Sequence, residues 1–224
     1  MIVSGVPDDV SCSLYVDDLA IYISSSNIPT VERRLQLTID KISKWTKEHG
    51  FKLSTPKTVA VQFHRGRGIQ REPIINLMGE RIRFNTEHKF LGLIWDQRLR
   101  WNHHISDLKN KCRKSLTILK TLSHSNWGAD RIALLRIYRS IIRSKLDYGC
   151  TIYASAAPHI TKQLDSIHNQ ANPPLHWSIP IIPGGESACR CRRAIISNKK
   201  KQTLYSTLRS TKTVARLCCM QDSS

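Results

Sequence analysis

The residues best suited to catalytic or metal-binding chemistry in this chain are two adjacent carboxylates, Asp17 and Asp18, because they interrupt an otherwise apolar run from Ser13 to Tyr22. Leucine, tyrosine, valine and isoleucine favour strands, and carboxylates are costly to bury among them unless something positive meets them. We therefore expect two short strands with the acid pair at their tight connection. Side chains alternate along a strand, so Asp17 should lie on the same face of the sheet as Tyr15, and Asp18 on the same face as Val16, unless the turn redirects one of them. One of the pair should then be the stronger metal ligand, whereas the alternative is a solvated Asp-Asp turn.

A helix and another strand must position this acid pair. Asn27-Ile28-Pro29-Thr30 is typical of a helix start, and apolar residues then recur at helical spacing until Gly50. Thr58 to Phe63 alternates as a strand does, with Val59, Val61 and Phe63 on one face and Ala60 and Gln62 on the other. The order is strand, turn, strand, helix, strand. It predicts the latter part of a split βαβ sheet, an antiparallel sheet with a packed helix, whose opening strand and helix are missing.

Three further β-prone stretches follow before the period of the sequence becomes helical. Ile74 to Leu77 and Arg81 to Phe84 flank a glycine-bearing hairpin turn, and Lys89 to Asp96 is a third run. Gly92 within that run would allow another backbone to approach closely, or would mark a bulge.

Helices are predicted from Ile105 to Leu122, from Arg131 to Leu146 and from Pro158 to about Ala171. The first has an apolar stripe, and its basic residues can lie along phosphates or form a solvated face. These residues are Lys109, Lys111, Arg113, Lys114 and Lys120. Residues 172–224 show no sustained period and are rich in Pro, Gly and Lys/Arg in patches, so we expect a basic, disordered tail.

The charge balance favours a polyanionic partner. Lys and Arg number 35 against 17 Asp and Glu, a formal net charge of +18, which favours nucleic acid over a generally basic soluble protein. No apolar run approaches the roughly 20 residues of a spanning helix, and the start does not resemble a secretory signal. We therefore expect no membrane partner and an intracellular protein, in cytoplasm and nucleus. The 7 scattered cysteines fit a reducing compartment, and a zinc site at Cys189, Cys191, Cys218 and Cys219 lacks the usual spacing.

Tyr15-Val16-Asp17-Asp18 resembles the Tyr-x-Asp-Asp box of reverse transcriptases, and the surrounding run resembles that of jockey-type non-LTR retrotransposons. Further resemblances follow in the family's order. The first is a block around Lys57, and the next is the stretch from Phe90 to Trp95, which resembles the strand pair called the primer grip. They continue as far as about Gln170. The resemblance implies an α+β fold: an incomplete polymerase palm over residues 1–100 with the primer-grip strands, a helical thumb or connection over 101–171, and an irregular tail.

The resemblance implies RNA-directed DNA polymerase activity with an RNA template, a DNA primer, deoxynucleoside triphosphates and two Mg²⁺ ions. Asp17 would be the preferred metal ligand and Asp18 the second choice. Lys57 would assist the leaving pyrophosphate, although nearby Lys52 is not distinguished from it. Tyr15 and Val16 would lie under the primer end. Phe90, Leu91 and Gly92 would hold the primer strand, and Lys109 and Arg113 would contact nucleic acid.

The family's other metal-binding aspartate lies on a strand that this chain does not show, and Asp8-Asp9 is interpreted as turn residues rather than a replacement. We therefore expect a truncated palm and thumb fragment that polymerises little or nothing by itself. Two alternatives stay open: a non-enzymatic basic protein that binds RNA or DNA, and a protein resembling intron maturases, which also carry a Tyr-x-Asp-Asp box.

Overall fold

The computed structural model describes residues 7–64, 71–123, 128–175, 212–218 and 220–222. Helices and small, mainly antiparallel sheets make it α+β, as predicted. The described residues divide into two compact units. The first contains the chain up to Lys89, Trp95–Leu99 and the C-terminal strands, and the second contains Phe90–Ile94 and the helices from Arg100 onward.

The first unit begins with the predicted hairpin and helix. Strands β1 (Val10–Tyr15) and β2 (Asp18–Ser24) pair antiparallel, and helix α1 spans Ile28–Glu48. The Asn27 side chain accepts a hydrogen bond from the backbone nitrogen of Thr30 at 3.4 Å and caps the helix. The apolar stripe of α1 is buried against the sheet as Val31, Leu35, Ile39 and Ile42. The predicted hairpin and helix are confirmed.

The main sheet has the order β1-β2-β10-β4-β7, in which β4 is Val59–Phe63, β7 is Arg83–Phe84 and β10 is Lys212–Cys218. Strand β11 (Met220–Asp222) pairs with β3 (Phe51–Leu53). Residues 212–218 and 220–222 are therefore strands, and the prediction of an irregular tail is wrong for them. Pairing to distant strands orders these short segments, and no local period announces it.

Strand β4 is the predicted strand, and both of its faces are largely buried. Ala60 packs in the core with α1, and on the other side the Phe63 ring meets Trp95 edge-on at a centroid distance of 6.3 Å. Even Gln62 is 6% exposed, with its side-chain nitrogen donating to the Arg71 backbone oxygen at 3.3 Å. A central strand covered from both sides carries little polar alternation.

Two hairpins follow β4. Strands β5 (Asn76–Leu77) and β6 (Glu80–Arg81) form the predicted glycine-bearing hairpin. The stretch expected as one strand from Lys89 is two, β8 (Glu87–Phe90) and β9 (Leu93–Asp96), joined by a turn at Leu91 and Gly92. Positive φ angles of +44° and +78° at these two residues reverse the chain, so Gly92 lies in a turn and not inside a strand.

The second unit is helical from α2 (Asn102–Leu122) onward. Helical residues then run from Arg131 to Asp147, as α3 (Arg131–Ile137), a π-helical segment (Tyr138–Arg143) and α4 (Ser144–Asp147). They are followed by α5 (Cys150–Tyr153) and α6 (Pro158–Leu175). The predicted stripe of α2 is buried through Ile105, Leu108, Cys112, Leu116 and Leu119. Helix α6 starts at Pro158 as predicted and extends four residues beyond the expected end at Ala171.

Candidate active site

The acid pair lies at the tip of the β1–β2 hairpin. The strand register ends with Tyr15 opposite Asp18, so Val16 and Asp17 form a two-residue turn. Tyr15 and Val16 are 62% and 80% exposed, Asp17 is exposed, and Asp18 is half-buried. Both carboxylates are therefore at the open end of the sheet, as predicted for a tight connection between strands.

The turn redirects the acid pair relative to simple alternation. Directly opposite residues of an antiparallel pair share one face of a sheet, so Asp18 sides with Tyr15 across the hairpin, not with Val16. Asp17 lies within the turn itself. Its carboxylate is the more accessible of the two.

Val16 has a strained backbone. Its φ of +56° is in the left-handed region, and of the two turn residues only Val16 has a positive φ, as in a type II′ turn. Such a φ is an outlier for a β-branched residue and costs about 1–3 kcal/mol. The turn that presents Asp17 therefore contains a strained and exposed backbone position.

The donor set suits a hard divalent cation. Two adjacent carboxylates at the hairpin tip, one exposed and one half-buried, supply oxygen ligands and leave room for water and substrate oxygens, which Mg²⁺ retains at most protein sites. Among the described residues, no group of three or more His, Cys, Asp or Glu side chains forms a metal-binding cluster. The pair therefore fits part of a magnesium site.

Lys57 lies at the same end of the main sheet as the acid pair. Strand β10 shows this, because its Cys218 is opposite Asp18 and its Arg216 is opposite Val59. The first residues of β2 and β4 therefore lie at the same end of the sheet. Lys57 precedes β4 by two residues and is exposed. The turn before β4 is held by Thr58, whose hydroxyl donates to the Ser54 backbone oxygen at 2.7 Å. With strands about 4.8 Å apart, β2 and β4 are about 10 Å apart across β10.

The predicted primer-holding residues and basic helix residues lie in the second unit. Phe90 is half-buried, Leu91 is 37% exposed, and Gly92 is exposed at the β8–β9 turn. The close approach expected at Gly92 is made by a side chain and not by a backbone. A Cβ atom added at Gly92 would be 3.2 Å from Tyr148 Cε1.

Lys109 and Arg113 are one turn apart on α2, so their side chains share one side of the helix. Lys109 is half-buried and Arg113 is exposed. Neighbouring Lys111 is engaged differently, because its ammonium group is 2.6 Å from the Asp107 carboxylate. Arg113 is therefore accessible to a phosphate, and Lys109 is available beside it at the margin of the buried stripe.

Comparison with known proteins gives the chain a family context. It is 27% identical over 156 residues to the RNA-directed DNA polymerase from mobile element jockey of Drosophila melanogaster, a match covering 69% of this chain and 17% of that protein. The Drosophila funebris jockey polymerase is 26% identical over 162 residues, covering 71% and 18%. The Bradysia coprophila Pol polyprotein from type-1 retrotransposable element R1 is 23% identical over 139 residues, covering 62% and 14%.

This chain is similar to the RNA-directed DNA polymerases of jockey elements and to the Pol polyprotein of an R1 element. It spans less than a fifth of the length of the jockey polymerases that it matches, at 17% and 18%. No family model and no solved structure matches it.

Two residues that sequence reasoning did not assign to a site stand out in this polymerase relative. The Tyr148 hydroxyl donates to the Leu91 backbone oxygen at 2.6 Å, and Gly149 has a φ of +68°. A Cβ atom at Gly149 would be 2.6 Å from Leu93 Cδ2. The dipeptide Tyr-Gly after a helical segment was the only sequence signal, and it indicated a helix end.

Other predictions concern residues around the site. Asp8 and Asp9 are turn residues as predicted, and Asp9 pairs with Arg34 at 3.3 Å. Burial raises the pKa of the Cys12 thiol in β1, so this residue of the acid hairpin is a poor nucleophile.

The zinc site that lacks the usual spacing cannot be located, because Cys189, Cys191 and Cys219 lie outside the described residues. None of the described helices is long and apolar enough to cross a bilayer.

Proposed function

We propose that this chain carries the metal-binding hairpin and helical thumb of an RNA-directed DNA polymerase of a jockey-like non-LTR retrotransposon. The observation that supports it best is the exposed Tyr15-Val16-Asp17-Asp18 tip between two paired strands, in a chain whose relatives are such polymerases. The first unit corresponds to most of the palm, and the second contains the primer-grip turn and the thumb. Its partners are an RNA template, a DNA primer and deoxynucleoside triphosphates.

Asp17 is the main metal ligand of this proposal, and Asp18 is the second candidate ligand. Asp17 is the more exposed and can turn toward a cation on the solvent side, whereas Asp18 is held by its strand opposite Tyr15. Divalent ions held by these carboxylates, Mg²⁺ in this class, would lower the pKa of the primer 3′-hydroxyl and would neutralise charge at the phosphate and the leaving group.

Lys57 supplies a cation for the leaving pyrophosphate. Its position before β4, at the end of the sheet where β2 also begins, supports this role toward a triphosphate bound at the hairpin tip. A lysine there stabilises charge on the leaving group or donates a proton to it. Tyr15 and Val16 present exposed apolar surface to the primer end.

The second unit contributes nucleic-acid contacts. The β8–β9 turn, with Phe90, Leu91 and Gly92, holds the primer strand, and Lys109 and Arg113 of α2 bind phosphates. Arginine and lysine contacts of this kind give a strongly salt-dependent affinity.

We further propose that the isolated chain polymerises little or nothing, because the resemblance implies another metal-binding aspartate that is not found in it. Primer extension on an RNA template with Mg²⁺ tests this directly. The full chain and Asp17→Asn should give the same background incorporation. Incorporation by the full chain that Asp17→Asn abolishes would refute the inactivity and would support the role of Asp17.

A second candidate function is nucleic-acid binding without catalysis, and the basic face of α2 together with the net charge of +18 favours it. The two candidates differ in their metal dependence. Template-primer binding that is unaffected by Mg²⁺ and by Asp17→Asn would favour the binding protein, whereas Mg²⁺-dependent nucleotide binding at the hairpin would favour the polymerase.

A further inference from the structure

The β8–β9 turn belongs to the helical unit of the chain. Phe90–Ile94 groups with the helices from Arg100 onward, whereas the hairpin on either side of it groups with the first unit. The turn residues Leu91 and Gly92 both have a positive φ, which a residue with a side chain, such as Leu91, rarely adopts. A backbone in this region persists only where its surroundings hold it there.

Tyr148 contacts both residues of the turn. Its hydroxyl donates to the Leu91 backbone oxygen at 2.6 Å. Its ring packs directly on the glycine, because a Cβ atom added at Gly92 would be 3.2 Å from Tyr148 Cε1. One side chain therefore holds the carbonyl group of the first turn residue and covers the second.

The helices also hold the two residues that follow the turn. Gly149 has a φ of +68°, and a Cβ atom there would be 2.6 Å from Leu93 Cδ2, so only glycine allows this approach. The Ile94 amide donates to Nδ1 of His104 in α2 at 3.4 Å. Contacts from the helical unit therefore reach four successive residues of the chain.

The backbone of Tyr148 is fixed on both sides by helices. Its amide donates to the Ser144 backbone oxygen at 3.0 Å at the end of α4. At the start of α5, the Gly149 oxygen accepts from the amides of Ile152 and Tyr153 at 2.8 and 3.3 Å. The Tyr148 side chain itself is 57% exposed, so it adds little to the core. Its specific contacts are those with the turn.

We propose that Tyr148 is a positioning residue for primer binding. It acts through the β8–β9 turn, because it keeps Leu91 and Gly92 in the conformation in which the turn holds the primer strand. A hydroxyl group 57 positions later in the chain than Leu91 thereby controls the preference of the protein for a primer end. This inference rests on the proposed function of the turn.

Binding to a primer end tests this role. The affinity of the full chain is measured for an RNA template with a recessed DNA primer, and for the same duplex with both ends closed by loops. The ratio of the two affinities is the end preference. Phosphate contacts such as those proposed for Lys109 and Arg113 affect both duplexes alike and cancel in the ratio. Tyr148→Phe keeps the ring and removes the donor, so it should lower the ratio about threefold to tenfold, the effect of one lost hydrogen bond.

Tyr153→Phe is the matched control. The Tyr153 hydroxyl donates to the Leu146 backbone oxygen, so the same substitution removes the same kind of bond from within the helices and not from the turn. This variant should keep the end preference of the unmodified chain at a temperature where both variants are folded. An equal fall of the ratio in Tyr153→Phe, or an unchanged ratio in Tyr148→Phe, would overturn the proposal.

Leu91→Ala separates a failure of this proposal from a failure of the proposed function. It removes an exposed side chain of the turn and keeps the backbone oxygen that Tyr148 binds. A lower ratio in Leu91→Ala with an unchanged ratio in Tyr148→Phe would refute the positioning role alone. An unchanged ratio in both would refute the assignment of the turn to the primer, and the proposal with it. In the double variant the two losses should multiply to less than their product, because both act through one turn.

Discussion

The Tyr148 hydroxyl donates a hydrogen bond of 2.6 Å to the backbone oxygen of Leu91, a residue 57 positions earlier in the chain. Leu91 and Gly92 both have positive φ angles, as in a type I′ turn. The left-handed conformation costs a non-glycine residue such as Leu91 about 1–2 kcal/mol. The Tyr148 ring packs on Gly92, and Gly149 packs on Leu93. This Tyr-Gly pair therefore fixes the turn that we assign to the primer strand.

Removing the Tyr148 hydroxyl should weaken this turn. Tyr148→Phe keeps the ring over Gly92 but leaves the Leu91 oxygen without its donor, so the free energy of unfolding should fall by about 1 kcal/mol. Tyr148→Ala, which also removes the ring, should cost more. Urea denaturation measures both values. Equal stability of Tyr148→Phe and the unmodified chain would show that the bond contributes nothing.

A methyl group should be far less tolerated at Gly149 than at Gly50. Both have a positive φ, +68° and +78°, so alanine strains the backbone at each by about 1–2 kcal/mol. A Cβ atom at Gly149 would also be 2.6 Å from Leu93 Cδ2, whereas nothing lies within 4 Å of one at Gly50. Gly149→Ala should therefore lose more unfolding free energy than Gly50→Ala in the same urea titration. A smaller loss at Gly149 would contradict the packing.

The stability of the second unit should fall in mild acid because of His104. Burial lowers the pKa of this imidazole. The Lys111 charge lowers the pKa further, and the Asp107 charge opposes both effects. The unfolded chain then binds a proton more readily than the folded one, so stability is full above the ordinary pKa of about 6.5 and declines as pH falls below it. The free energy of unfolding should drop between about pH 7.5 and about pH 5.5. His104→Gln should flatten the decline and the neighbouring His103→Gln should not. An equal decline in His104→Gln would exclude His104 as the source.

Much of the first unit follows from local pattern. The N-cap at Asn27, the buried stripe of α1 and the turn at Asp17 were predictable, because each depends on residues close in sequence. Strand β10 was not, because its pairing depends on β2 and β4 and not on its own propensity. The split of the Lys89 to Asp96 run was missed because a leucine at positive φ is not expected in a turn.

For the candidate site, the sequence indicated the acid pair and Lys57 but not the residue that anchors the β8–β9 turn. The acid pair was found because two carboxylates in an apolar run demand an explanation, and Lys57 was added by resemblance. The anchoring of the β8–β9 turn by Tyr148 was not foreseen, because no local pattern pairs a tyrosine with a carbonyl so far away in sequence.

Phosphate binding by α2 should depend on Lys109 and Arg113. Replacing both with alanine should weaken template-primer binding and lower the slope of affinity against salt by about 1–2, since each phosphate contact releases about one counterion. Lys41→Ala with Lys47→Ala on α1, where both side chains are exposed, is the charge-matched control. Fluorescence anisotropy across a salt series measures both slopes. A larger loss from the α1 pair would place the interface elsewhere.

The location of divalent cation binding on the folded chain shows whether the β1–β2 hairpin is a metal site. Mn²⁺, a paramagnetic substitute for Mg²⁺, should broaden the backbone amide signals of residues 15–18, and excess Mg²⁺ should restore them. Asp17→Asn should abolish the broadening and Asp18→Asn should reduce it. Asp8→Asn, in the Asp-Asp pair at the opposite end of β1, should leave it unchanged. Broadening centred away from the hairpin, or unchanged in Asp17→Asn, would contradict the account.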